Sequence, residues 1–290
     1  LANLYQQLGR IDEAVAQCCE ALILEPHSAR TRELLGLAYF TLKRYDEAAQ
    51  VYREWLEQEP GNPRAEHHLA ACTGQNVPTR ASDAYVETVF DTFASSFDAK
   101  LAKLTYQAPQ WVLQAVARLL GEPQGTLDVL DAGCGTGLCG PLIRPYARRL
   151  IGVDLSGQML ARAQQRDVYD ELVKAELTVF LQSREQADDL IISADTLCYF
   201  GLLDSVLAAA QRALKPGGAL VFTVEAQLTQ PANEAPYHLQ PHGRYSHHQD
   251  YLVSVLASSG LQLADIEQVH LRDEGGQPVH GWLISAVKAA

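Results

Sequence analysis

Hydrophobic and polar positions change period near residue 126. Before it, apolar residues recur at helical spacing. Leu8, Ala14, Cys18 and Ala21 are predicted to share one buried helical face, and Pro26 and Pro60 to stop helices. Phe90, Phe93, Ala94 and Phe97 keep the same period within Tyr85–Pro109, and Pro109–Leu120 reads as an amphipathic helix. From Thr126 onward short apolar runs alternate with helical stretches. Leu127–Leu130, Arg149–Asp154, Asp170–Val173, Ala187–Ser193 and Ala219–Val224 read as strands. Leu138–Tyr146, Ser156–Gln165 and Ser205–Leu214 read as helices between them. Strand–helix alternation of this kind implies an α/β fold with a doubly wound, mostly parallel sheet, whose ligands bind at the carboxyl ends of the strands. The tail predicts a closing hairpin, LQLADIEQVHLR and HGWLISAVK around a Gly-Gly-Gln-Pro turn.

The first 74 residues repeat. Leu1 and Leu35, Tyr5 and Tyr39, Ala14 and Ala48, and Pro26 and Pro60 are each 34 apart. Small residues at 14 and 48 let paired helices approach closely. A helix–turn–helix period of 34 resembles the tetratricopeptide repeat (TPR) family, most clearly in LLGLAYFTLKRYDEAAQVYREWLEQEP. Two repeats, the first lacking its start, are followed by a capping helix from Asn62-Pro63 to Gly74. Such a segment is either a docking surface for a protein partner or a packing and dimerisation module. The polar, Gly- and Pro-containing stretch 75–84 reads as a linker, which leaves 85–290 as one catalytic-type domain.

The chemistry is concentrated in DAGCGTGLCG, Asp131–Gly140. Alternating glycines after a strand let backbone lie against a ligand. The dinucleotide fingerprint G-x-G-x-x-G, counted from Gly133, requires glycine where Leu138 stands, and that speaks against a nicotinamide oxidoreductase. Asp154, ending the second strand 23 residues after Asp131, is the expected acceptor of ribose hydroxyls; its structural alternative is a helix cap, a task Ser156 would also serve. The run D-x-G-x-G-x-G resembles the first motif of class I S-adenosylmethionine-dependent methyltransferases.

That resemblance implies a Rossmann-like, seven-stranded sheet with a reversed last strand and S-adenosyl-L-methionine as cofactor. It carries cofactor contact to Asp131, Gly133, Cys134, Gly135, Gly137, Asp154 and Leu155. It also gives Glu176 and Leu177 the adenine ring, with a solvated acid as the alternative for Glu176. Asp195 would hold the cofactor's ammonium, orient the nucleophile, or cap the next turn. The run F-D-x-x-A-x-x-F-D from Phe90 to Asp98 resembles the lid of small-molecule methyltransferases, where Tyr85, Phe93 or Phe97 would touch the cofactor. Leu214–Phe222 resembles the late signature of the family, with Pro216, Gly217 and Gly218 making a turn and Glu225 a pocket residue at the far end of the strand.

The stretch Ala226–Leu252, with Pro231, Pro236 and Pro241, reads as a long loop in the acceptor position. His238, His242, Arg244, Tyr245, His247 and His248 are its candidates for substrate contact, and Tyr199 a wall beside the methyl group. His238, His242, Tyr245, His247 and Tyr199 are the candidates for a catalytic role. The histidine spacing does not suggest a metal.

At 290 residues, with 47% hydrophobic and 20% charged positions, the chain suits a globular protein. Its net charge of −12 disfavours nucleic acid as partner or acceptor. Six scattered cysteines without a C-x-x-C pair suit a reducing, cytoplasmic setting, and neither a membrane span nor a signal peptide is expected. The start in mid-pattern is read as truncation. The expected activity is methyl transfer to a small molecule or a protein side chain. A non-catalytic repeat adaptor with a cofactor-binding domain is the alternative.

Overall fold

The computed structural model describes residues 2–25, 28–228, 235–274 and 276–290. Leu1, Pro26, Pro231 and Gly275 therefore lie outside the described residues. The chain forms two compact units, residues 1–85 with 239–244, and residues 86–238 with 245–290.

The first unit is helical: α1 (Ala2–Gln7), α2 (Ile11–Leu24), α3 (Ala29–Thr41), α4 (Tyr45–Gln58) and α5 (Pro63–Thr73). Local chemistry sets the helix ends. The Ser28 hydroxyl accepts from the Thr31 N–H, and Asn62 Oδ1 accepts from the N–H groups of Arg64 and Ala65 just before Pro63. Ala14, Cys18 and Ala48 are buried, as is Trp55 of α4. Leu8 corrects the expected face: it is 62% exposed. It falls in the turn after α1, so it does not continue the spacing of α2. His67 and His68 of α5 are buried; Nε2 of His67 donates to the Gly243 carbonyl at 2.9 Å, and Nδ1 of His68 to the Pro241 carbonyl at 3.3 Å. The turn 239–244 is thus part of this unit although it follows the fifth strand by more than a dozen residues.

The second unit opens with α6 (Asp83–Phe93, its first turn in the first unit), α7 (Phe97–Lys103) and α8 (Ala108–Leu120). It continues through β1 (Leu127–Ala132), α9 (Gly140–Ile143), β2 (Ala147–Asp154), α10 (Gly157–Gln164), β3 (Glu171–Lys174), α11 (Leu177–Gln182), β4 (Asp188–Ser193), α12 (Asp204–Ala213) and β5 (Leu214–Ala226). Then come β6 (Tyr237–Leu239), β7 (Tyr245–His247), α13 (Gln249–Ser258), β8 (Leu261–Glu274) and β9 (Gln277–Lys288). Strands β3-β2-β1-β4-β5 pair in parallel, β9 runs antiparallel on β5, and β8 antiparallel on β9.

Side-chain alternation sorts the core into two layers. Leu130, Ile191, Leu220 and Phe222 pack with α11, α12 and α13 on one face; Val129, Leu190, Ile192 and Val221 pack with α8 and α9 on the other. Phe222 is wholly buried, and its truncation to alanine should cost about 3–5 kcal/mol.

Four expectations change. The seven expected strands are joined by β6 and β7, so the sheet has nine described strands. The stretch after β5 is not all loop, because β7 pairs with the end of β5 at Glu225 and Ala226 and α13 begins at Gln249. Pro216-Gly217-Gly218 is an irregularity inside β5 rather than a turn before it. Leu214 sits opposite Asp188 and Ala219 opposite Leu190, so the extra residues bulge out. Finally, α9 has only four residues and passes through a short 3-10 turn at Arg144–Tyr146, since Pro141 and Pro145 limit the backbone bonding.

Candidate functional site

The carboxyl ends of β1 to β4 carry the candidate residues. At the first, the backbone turns through positive φ at Gly133 (78°) and Gly135 (54°). The N–H groups of Gly133 and Cys134 both donate to the Val153 carbonyl, at 2.8 and 2.9 Å, which ties the turn to β2. A Cβ on Gly133 would lie 2.1 Å from Thr196 Oγ1, so that glycine serves packing. A Cβ on Gly135 would meet nothing within 4 Å. Gly137 (φ 82°) is closed as well, since its Cβ would lie 2.9 Å from the Tyr169 ring, so the turn has two glycines packed against protein and one, Gly135, facing open space.

Asp131 is buried, and Oδ2 accepts a 2.6 Å hydrogen bond from the Tyr169 hydroxyl. Burial pushes its carboxyl up to about 7; the Tyr169 bond opposes the shift and the nearby Asp154 adds to it. Cys134 is also buried, which raises its thiol and keeps it protonated.

Asp154 closes the second strand end. Oδ2 accepts from the Gly135 N–H at 2.9 Å and Oδ1 from the Ser156 N–H at 2.8 Å. Helix capping belongs to Ser156, whose hydroxyl accepts from the Met159 N–H at 3.1 Å. A carboxylate offers about four lone-pair sites, so these two bonds leave Asp154 acceptor capacity. Burial raises its pKa against the pull of the backbone donors. Leu155, half-buried, follows it directly.

At the third end Glu176 caps α11, with Oε2 accepting from the Val179 N–H at 2.8 Å. Its other oxygen, Oε1, is buried with no hydrogen-bond partner among the described residues. Leu177 is buried and is the first residue of α11, where backbone N–H groups have no intrahelical acceptor. An orphan acceptor beside a free donor fits the amino group and ring nitrogen of an adenine. Together with the open Gly135 turn and the Asp154 carboxylate, the residues present fit an adenosyl cofactor.

The fourth end is ionic. Asp195 has φ +53°, unusual for a residue with a Cβ. Its Oδ1 accepts from the Thr223 hydroxyl at 3.0 Å and its Oδ2 from Arg272 Nη1 at 2.6 Å. Arg272, 4% exposed, also donates to Glu225 through Nη2 and to Glu274 through Nε at 2.7 Å. Tyr199 is half-buried just beyond, its ring edge-on to Phe90 at 5.4 Å.

The other candidates disperse. Tyr245 and His247 are wholly buried. Nε2 of His247 donates to the Gly201 carbonyl at 3.0 Å, and burial pulls its pKa down to about 4, so the ring is neutral at pH 7. His238 is exposed on β6. His242 and Arg244 belong to the first unit, where Nδ1 of His242 accepts from the Arg244 N–H at 3.4 Å. His248 precedes α13. Tyr85 is buried with its ring stacked on His67 at 4.0 Å, and Phe93 lies under the Lys100 ammonium at 3.8 Å. Phe97 packs edge-on against Phe90. Sequence reasoning missed Tyr169 and Arg272. The only signal for Arg272 was a guanidinium inside an otherwise strand-like run, HLRDE.

Comparison with known proteins agrees with this geometry. Residues 130–222 match the family described as a methyltransferase domain, and residues 1–63 match the tetratricopeptide repeat. The chain is 27% identical over 150 residues to malonyl-[acyl-carrier protein] O-methyltransferase of Yersinia pestis, covering 52% of this chain and 54% of that protein. It is 30% identical over 118 residues to human methyltransferase-like protein 27, covering 40% and 47%. It is also 30% identical over 107 residues to trans-aconitate 2-methyltransferase of Paracidovorax citrulli, covering 36% and 41%. The chain thus spans about half the length of the curated relatives it matches. Among solved structures, the [4+2]-cyclase SpnF superposes with TM-score 0.60 at 17% identity, over 73% of this chain and 98% of that one. A Burkholderia thailandensis 1,6-didemethyltoxoflavin-N1-methyltransferase, solved with S-adenosylhomocysteine, does so with TM-score 0.56 at 20% identity, over 74% and 93%. These two likenesses establish the fold.

Proposed function

We infer that this chain, whose residues 130–222 belong to the methyltransferase-domain family and whose residues 1–63 belong to the tetratricopeptide-repeat family, moves a methyl group from S-adenosylmethionine to a small-molecule or protein acceptor. The observation that carries the reading is the order of ligand-ready groups along the sheet edge. The open turn at Gly135, the Asp154 carboxylate and the orphan Glu176 Oε1 stand at the ends of β1, β2 and β3 in that order.

Asp154 would accept the ribose hydroxyls and Glu176 the adenine amino group, while Asp131 and Asp195 face the amino-acid end. When bound, the cofactor supplies a methyl already activated by its sulfonium, so the protein's part is alignment and exclusion of water. Tyr199 and Phe90 would line the acceptor's approach. His247, neutral and pinned to Gly201, would hold the wall in place rather than reach a proton. Arg272 would orient Asp195, so that this carboxylate would serve placement rather than proton transfer.

The repeats would dock a partner or the acceptor itself. All six cysteines are free, which supports a reducing, cytoplasmic setting. Among the described residues no helix is long and apolar enough to cross a membrane.

Calorimetry with S-adenosylhomocysteine and with NADH tests the cofactor. Binding of the first alone is expected, and binding of NADH alone would overturn the reading. Methyl transfer is then assayed on carboxylic acids, including acyl-carrier-bound ones by analogy with the relatives' names, and on amines and proteins. A second reading follows from SpnF, a cyclase sharing this fold: a domain that binds the cofactor without methyl transfer and serves a repeat adaptor. Tight S-adenosylhomocysteine binding with zero turnover on every acceptor would favour it.

A further inference from the structure

We propose that Asp91 and Asp98 are positioning residues that latch the α6–α7 segment over the cofactor cradle and so set how fast the cofactor leaves. The proposal rests on reading the glycine turn as that cradle.

The segment makes one attachment to each of four strand ends. Glu87 pairs with Lys174, the last residue of β3. Phe90 meets Tyr199 beyond β4. Asp91 Oδ1 accepts from the Ser156 hydroxyl and, at 3.3 Å, from the Gln158 N–H beyond β2. Asp98 Oδ1 accepts from the Thr136 hydroxyl at 2.5 Å inside the glycine turn. Glu87, Phe90 and Asp91 share one face of α6 at steps of three and four, and the buried Ala94 opens the short 3-10 turn that carries the chain to Asp98 in α7.

The two aspartates differ from the other attachments in where they end. Thr136 lies between Gly135 and Gly137 and is 2% exposed. Arg166 completes a triangle there, donating through Nη2 to Asp98 at 2.6 Å and through Nε to the Thr136 carbonyl at 2.6 Å. Ser156, wholly buried, donates its N–H to Asp154 and its hydroxyl to Asp91. Each latch therefore ends on a residue that shapes the cradle, at the glycine turn and beside the ribose carboxylate. Both aspartates are themselves exposed, so they act through Thr136 and Ser156. The resemblance to a methyltransferase lid assigned cofactor contact to aromatics of this region; the bonds that close it run through its acids.

An exposed ion pair contributes about 0–1 kcal/mol to folding, so stability alone does not separate a latch from a surface contact, and the test is kinetic. Release of S-adenosylhomocysteine from the full immobilised chain is followed by surface plasmon resonance. Asp91→Asn and Asp98→Asn should each speed release by about tenfold, with association changed by less than about threefold and Tm by only a few degrees. Asp98→Glu, which keeps the carboxylate, should restore most of the slow release. Arg166→Gln opens the same triangle from the other side and carries the test if Asp98→Asn does not fold. Release rates within twofold of the parent in both aspartate variants would overturn the proposal while leaving the cradle intact. Absence of S-adenosylhomocysteine binding by the unaltered chain would remove the cradle reading and the proposal with it.

Discussion

The Tyr169 hydroxyl donates a 2.6 Å hydrogen bond to Asp131 Oδ2 at the base of the glycine turn. The pair joins a residue two positions before β3 to the end of β1 across the intervening β2. It also sets the charge at the turn, because the bond favours the carboxylate while burial favours the acid.

Cofactor affinity should therefore depend on pH. With Asp131 near 7, an ionised carboxylate is the minority form at pH 6 and the majority at pH 8. If the ionised form receives the cofactor's ammonium, S-adenosylhomocysteine affinity should rise about tenfold over that window and level off above it. Tyr169→Phe removes the bond that favours ionisation, so the rise should move to higher pH. Calorimetric titrations at fixed ionic strength measure both. The folding contribution has the opposite sign. A carboxyl raised in the folded state stabilises fully below its unfolded value near 4, and that contribution is lost as pH rises through about 7.

Alanine at two of the turn glycines should separate binding from folding. Gly135→Ala places its Cβ in open space, and only the positive φ opposes it, at about 1–2 kcal/mol. The variant should fold and lose S-adenosylhomocysteine affinity by tenfold or more on the order of the cradle reading. Gly133→Ala meets the Thr196 side chain and should lower Tm strongly. Thermal melting beside calorimetry distinguishes them.

Acid should unfold the protein earlier than its carboxylates alone would dictate. Burial lowers His68 to about 3 and His247 to about 4, and both rings hold carbonyls while neutral. A base depressed in the folded state adds stability above its unfolded value near 6.5, and loses it as pH falls toward the folded value. Each should contribute on the order of 3 kcal/mol across that range. Denaturant melts from pH 7 to 4 should show the loss, and His247→Gln should flatten part of it.

Arg272→Met should destabilise the second unit by about 3–5 kcal/mol, since it strips the guanidinium from the buried Glu225 and the half-buried Asp195 carboxylates. Arg272→Lys should recover only part of this, because one ammonium does not match a fork that reaches three carboxylates. Urea denaturation of the three proteins gives the comparison.

Several of these groups were legible in the chain and several were not. Asp131, Gly133, Gly135, Asp154 and Glu176 stand at strand ends that period and glycine spacing mark out directly. The helices of the repeats followed from the 34-residue spacing and from the start at Asn62-Pro63. Leu8 failed because periodicity does not say where a short helix ends. Tyr169 carries no local signal, Arg272 only a guanidinium in a strand-like run, and Asp91 and Asp98 stand in the lid-like run without a role that the run itself assigns; each matters through a partner far away in sequence, and Arg272 is 77 residues from Asp195. The stretch after β5 misled for the same reason. Its turn at 239–244 is held by α5 histidines more than 170 residues earlier.

By itself the sequence determined what is local: where backbone turns, which faces are apolar, and which acids end strands, because these follow from steric limits and period within a few residues. Only the tertiary structure decided which acids are paired, which are raised or left with an orphan oxygen, and which glycine faces open space. Those properties depend on strand register and burial, and they arise when distant segments share one low-dielectric interior.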